Sequence, residues 1–180
     1  FLIYVLLATI CDVMPLRKIN KIIARNTLND FNLKDNLALS YICDHYNLKK
    51  KLSIDDLGFI IGPIINAGGR LHYSKYGVEL LSTNDKEIIK DRSNKLINLN
   101  NKRKKIEENI LREIDFEKIK NENKNVIIYH KNNLNEGLIG IIASRLKDYF
   151  NRPSVVITSS NDILKGSARS VDHYNIGRAI

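Results

Sequence analysis

Three groups of residues in this sequence have types and spacings that can do chemistry. Asp12 closes the apolar opening run FLIYVLLATIC. A carboxylate there is costly to desolvate unless it caps a backbone, pairs with a cation or binds a metal. No other Asp, Glu or His lies near it in the sequence. A metal site would therefore need ligands from elsewhere, and a cap or turn aspartate is the plainer reading. The second group is Asn66 to Arg70, NAGGR. Two glycines directly before an arginine let the backbone approach another strand or an anion, where N–H groups and a forked guanidinium can both engage phosphate oxygens. A tight loop with a solvated arginine has the same letters. The third is Lys165 to Ser170, KGSARS, in which Ser167 and Arg169 share a face if the segment is a strand. One hydroxyl and one guanidinium on one face make an anion clamp, or simply a polar edge strand.

Other chemistry is thin. The four histidines, His45, His72, His130 and His173, include no pair at metal-ligand spacing, and no Ser-His-Asp set emerges. Lys102, Arg103, Lys104 and Lys105 form a basic cluster of the kind usually found on a solvated helix face, although it could track a nucleic-acid backbone. Tyr73 and Tyr76, just after Arg70, could stack bases, with core packing the commoner fate. Overall charge decides the first partner to consider. Lys and Arg number 29 against 20 Asp and Glu, for a formal net charge of +9, which attracts polyanions before any specific contact forms. Cys11 and Cys43 cannot build a disulfide framework and fit no zinc spacing, so a reducing cytoplasm is expected.

The elements that must position these residues follow from pattern. The composition, 43% hydrophobic and 27% charged over 180 residues, excludes a disordered tail, a fibre and a disulfide mini-protein. Phe1 to Ile10 is apolar on every face and too short to span a bilayer, so it is predicted to be buried all round. A chain that opens on a core segment without Met and stops inside YNIGRAI is expected to be a piece of a longer protein. Lys18 to Tyr46 has helical spacings for one or two short helices. Ser53 with Asp56 predicts a capping box, opening a helix that should end near Gly62 and Pro63. From Asp85 to about Asn121 there is neither Gly nor Pro, and Ile89, Arg92, Leu96, Leu99, Arg103, Ile106, Ile110 and Glu113 step by threes and fours. That predicts one long, half-solvated helix linking two domains, with KNENKN as a polar boundary. NVIIYH, EGLIGIIASRLKDYF and SVVIT then read as strand, helix and parallel strand, and ILKGSARSV as an edge strand. The fold class is α/β.

Taken in order, these segments resemble the DHH phosphoesterase family, and within it the single-strand-specific exonucleases. ATICDVMPL resembles the family's fourth motif and LGFIIGPIINAGGRL the end of its DHH domain; EGLIGIIASRL and KGSARSV resemble the DHH-associated domain. The resemblance implies the C-terminal part of a DHH domain over 1–84, a linker helix over 85–124 and the start of a DHH-associated domain over 125–180. It implies a 5′-to-3′ exonuclease hydrolysing single-stranded DNA in repair and recombination with two divalent ions, Mn2+ or Mg2+. Asp12 matches the family's last metal-binding aspartate, serving both catalysis and metal binding. Arg70, Ser167 and Arg169 match positions around the DNA phosphates, and Asn66 and Ser170, in the same motifs, are expected to bind DNA with them. The preceding aspartates and the Asp-His-His are absent, Ile64 replaces a common arginine, and Leu134-Asn135 replaces a usual Trp-His. The implied protein is a cytoplasmic monomer without a membrane segment, meeting single-stranded DNA and a single-strand-binding protein or helicase. The other readings are a DHH phosphodiesterase of oligonucleotides or cyclic dinucleotides, and a non-catalytic nucleic-acid-binding relative.

Overall fold

In the computed structural model the described residues are 1–48, 51–71, 73–160 and 163–179; His72 lies outside them. They divide into two units, Phe1–Asn101 and Lys102–Ile180, each with its own buried apolar cluster. Together they form a mixed α/β chain, helical in the first unit and built on a small sheet in the second. No helix among the described residues is long and apolar enough to cross a membrane.

The opening run forms helix α1, Leu2–Cys11. It buries Ile3, Leu6 and Leu7, one stripe at steps of three and one, while Phe1 and Leu2 stay exposed. The run predicted to be buried all round is thus used on one face within this chain. Helices α2, Lys18–Asp30, and α3, Leu37–His45, follow, joined through a 3-10 turn at Leu33–Asp35. Asn36 starts α3 by accepting the Leu39 N–H at 2.9 Å and ties it to α1 by donating to the Tyr4 hydroxyl at 2.8 Å.

The predicted capping box forms: the Ser53 hydroxyl and N–H both reach the Asp56 carboxylate, and the Asp56 N–H donates to Ser53 Oγ at 3.1 Å. The helix it opens does not stop at Pro63. A wide π-type turn, Asp56–Ile61, runs straight into α4, Gly62–Arg70. The change of helical register at Gly62 makes Pro63 a first-turn residue, where a missing N–H costs nothing. The glycine serves packing, since a Cβ there would lie 2.6 Å from Cys11 Sγ and 2.9 Å from the Leu57 carbonyl oxygen. Ile64 is fully buried, so the position where the family often has arginine belongs here to the core. Helix α5, Lys75–Ser82, adds Leu80 to that core.

Helix α6, Lys86–Glu113, is 28 residues, about 42 Å at 1.5 Å per residue. Asp85 caps it by accepting the Glu87 and Ile88 N–H groups. Its buried stripe includes Ile89, Leu96, Ile97 and Ile110, interleaved with polar Ser93, Asn100 and Glu107 at every seventh position. Glu113, predicted on the stripe, is exposed and pairs with Lys131. The single helix predicted to about Asn121 breaks after Glu113. Asp115 caps a new helix, α7, Phe116–Glu122, accepting the Lys118 N–H at 2.9 Å, and left-handed Asn123 ends it.

The second unit has strands β1, Ile127–His130, β2, Ser154–Ser160, and β3, Ile163–Arg169, in the order β1-β2-β3. β1 and β2 are parallel and joined through helix α8, Glu136–Phe150, the predicted crossover; β3 returns antiparallel as an edge strand. Ser154, Val156 and Thr158 form the buried face of β2. The Ser154 hydroxyl donates to the Ala143 carbonyl of α8, and Thr158 Oγ1 accepts the Leu134 N–H at 2.9 Å.

Candidate nucleic-acid interface

Register decides which way β3 turns its polar residues. Ser154 pairs with Arg169, Val156 with Ser167 and Thr158 with Lys165, so all three β3 side chains lie on the face that β2 turns to α8. On α8, Glu136, Gly140 and Ser144 recur every four residues along one face and meet them in order. Lys165 Nζ pairs with Glu136 at 2.6 Å. Arg169 donates through Nε to Ser144 Oγ at 2.9 Å, and through Nη1 to Ser167 Oγ at 3.3 Å and the Ala168 carbonyl at 3.0 Å. Gly140 makes the room: a Cβ there would lie 2.9 Å from Arg169 Nη2 and 3.1 Å from Ser167 Oγ.

This is a cradle for a cation that remains a cation. Arg169 is exposed, and every acceptor holding it is neutral; no carboxylate pairs with it among the described residues. Its charge is therefore fixed in place yet uncompensated, which suits an anionic ligand. Ser170 is used differently. Its Oγ accepts the Ile176 N–H at 3.1 Å, shaping the turn that follows β3.

In the first unit Asp12 stands at the end of α1, and Asn66 and Arg70 lie on α4. Asp12 directly follows α1, exposed, with its N–H donating to the Ala8 carbonyl. A negative charge at a helix C-terminus opposes the helix dipole. Among the described residues no hydrogen bond or ion pair engages its carboxylate, yet Asp12 stands in a turn at the C-cap position of α1, as the cap or turn reading has it. The adjacent Cys11 thiol hydrogen-bonds Asn66; burial, and then the Asp12 charge, hold that thiol above its usual range. Asn66 and Arg70 are exposed one turn apart on α4. The loop read at NAGGR is the end of a helix, and Arg70 is the basic residue of its last turn.

Among the described residues no group of three or more His, Cys, Asp or Glu can hold a metal ion, and Asp12 offers a single carboxylate. His45, His130 and His173 are exposed and scattered.

No family model matches the chain. Curated relatives do. The chain is 34% identical over 176 residues to the single-stranded-DNA-specific exonuclease RecJ of Haemophilus influenzae, a match over 93% of this chain. Against RecJ of Escherichia coli the identity is 32% over 98% of this chain, and against RecJ of Bacillus subtilis 30% over 94%. The chain is similar to RecJ over nearly its whole length. It spans 31% of the Haemophilus RecJ and 22% of the Bacillus one. Among solved structures, RecJ of Thermus thermophilus in complex with Mg2+ matches 97% of this chain and 27% of its own, with a TM-score of 0.81 at 24% identity, which supports the α/β fold. The Mn2+ complex of the same RecJ has a TM-score of 0.78 at 26% identity, covering 92% of this chain and 24% of its own. An exonuclease RecJ bound to manganese has a TM-score of 0.73 at 26% identity, covering 97% of this chain and 43% of its own.

Within this RecJ-like chain the pairing of Ser167 with Arg169 was legible from strand alternation, whereas the helix that completes their cradle was not. The signal for it is the four-residue recurrence of Glu136, Gly140 and Ser144, which only the register of β3 makes meaningful.

Proposed function

We propose that this chain is part of a RecJ-like, metal-dependent exonuclease that hydrolyses single-stranded DNA from the 5′ end in cytoplasmic DNA repair and recombination. In this reading residues 1–84 are the end of a DHH domain, 85–124 the linker and 125–180 the start of a DHH-associated domain. The role of the described residues is to hold phosphates. Arg169, Ser167 and Arg70 engage the strand's phosphate oxygens, with Asn66 and Ser170 fixing the surrounding backbone and thiol. Asp12 supplies one carboxylate toward a Mn2+ or Mg2+ site whose remaining ligands lie outside this chain.

The observation that carries this reading is the Arg169 cradle, an exposed guanidinium held only by neutral oxygens over Gly140. Each phosphate contact on a single strand contributes about 0.7 to the slope of log affinity against log salt. Arg169→Ala should therefore weaken binding of a 5′-phosphorylated oligonucleotide and flatten that slope by roughly this amount. An unchanged slope would remove Arg169 from the interface.

A further inference from the structure

The turn after Arg70 is built in a way that phosphate binding does not explain. The Tyr73 N–H donates to the Gly68 carbonyl at 2.7 Å, and a Cβ at Gly68 would lie 2.5 Å from the Tyr73 carbonyl oxygen. The backbone of Tyr73 is thus clamped onto the last turn of α4, beside Arg70. Its ring is not in the core. Tyr73 is 47% exposed and lies parallel to Tyr76, with centroids 5.5 Å apart and planes at 8°. Tyr76 is in turn fixed by two cations of α6, the Arg92 guanidinium 4.9 Å and the Lys95 ammonium 5.7 Å from its centroid. Arg92 is tied to Glu79 and Asp91, and Lys95 to Asp91 at 2.9 Å. The result is a ring held flat by a ring, anchored by paired charges, and open to solvent.

We infer that Tyr73, backed by Tyr76, is a stacking platform for one unpaired nucleobase of the strand whose phosphates the chain binds. The inference rests on the proposed function and adds a base-recognition element to it. Stacking needs only a flat π-face, so the platform accepts any base. A base in a duplex has both faces covered by its neighbours, so the same platform favours single strands. The contact carries no charge and leaves the salt dependence alone.

The test uses the full chain and fluorescence anisotropy with two probes of equal length, oligothymidylate and an abasic phosphodiester strand. The base-bearing strand should bind about tenfold tighter, in line with one aromatic–base stack. Tyr73→Leu should abolish most of that preference while leaving abasic binding and the salt slope unchanged, and Tyr73→Phe should retain the preference. Equal binding of the two strands by the unmodified chain would overturn the inference. So would a preference surviving Tyr73→Leu, or one lost equally in Tyr73→Phe. Arg169→Ala separates the two readings: an unchanged salt slope there with a Tyr73-dependent preference refutes the phosphate assignment alone. Binding of neither strand refutes both.

Discussion

Gly140→Ala separates stability from binding with a single methyl group. The new Cβ would lie 2.9 Å from Arg169 Nη2 and 3.1 Å from Ser167 Oγ, so the guanidinium must move by roughly half an ångström to restore van der Waals contact. Because that group is the tip of a flexible side chain, the backbone need not follow. Replacing Gly by Ala inside a helix is favourable by about 1 kcal/mol. Weakening the bonds from Arg169 to Ser144 and Ser167 costs about the same. Stability is therefore expected to stay within about 1 kcal/mol, or a few degrees of melting temperature. Binding should respond quite differently. Misplacing a charge-assisted contact costs about 1.5 kcal/mol or more, a loss of roughly tenfold in affinity. Thermal denaturation followed by circular dichroism and anisotropy with a 5′-phosphorylated single strand measure the two effects. Unchanged affinity in a folded Gly140→Ala protein would refute the cradle as a binding element. A large fall in melting temperature would refute the claim that only the arginine tip must yield.

Three further outcomes are expected. Gly62→Ala should destabilise the protein by about 1–3 kcal/mol in urea titrations despite its helix propensity, because the added carbon meets Cys11 Sγ and a backbone oxygen of Leu57; a neutral result would discount that close packing. Burial, then the Asp56 and Asp44 charges, push the Cys43 thiol from 9.0 up to about 11, so the unfolded chain loses this proton first and stability should decline as pH rises from about 9 through about 11. Comparing urea midpoints of the protein and Cys43→Ala across that range isolates the effect, and parallel pH profiles would contradict it. Given Mn2+ and 5′-phosphorylated single strands, the purified chain should release no nucleotides, since no group of three metal-ligating side chains occurs among the described residues; metal-dependent release that vanishes in Asp12→Ala would show a complete site.

The second unit was legible because its signals are local. β-branched NVIIYH and SVVIT, a helical period between them and alternation in KGSAR suffice for strand, helix, strand and the shared face of Ser167 and Arg169. The first unit misled where distant residues decide. Gly62 and Gly68 look like loop formers, yet each is small because Cys11 or Tyr73 presses against it. On α6, periodicity pointed to Arg103 on the stripe but could not show Glu107 buried between Arg103 at 3.0 Å and Arg145 at 2.8 Å, the latter 38 residues away. Asp12 shows the same limit. Its position was readable, but that no hydrogen bond or ion pair among the described residues engages its carboxylate became apparent only once α1 was built.

The boundary between the two units falls at Asn101 and Lys102, in the interior of α6. No Gly or Pro interrupts that helix. Its first half supplies Ile89, Leu96 and Ile97 to one apolar cluster, and its second half supplies Ile110 to the other. Hydrogen bonds from each residue to the fourth before it run on through Asn101 and Lys102. A residue of poor helix propensity placed at that point would weaken a segment from which both apolar clusters draw side chains.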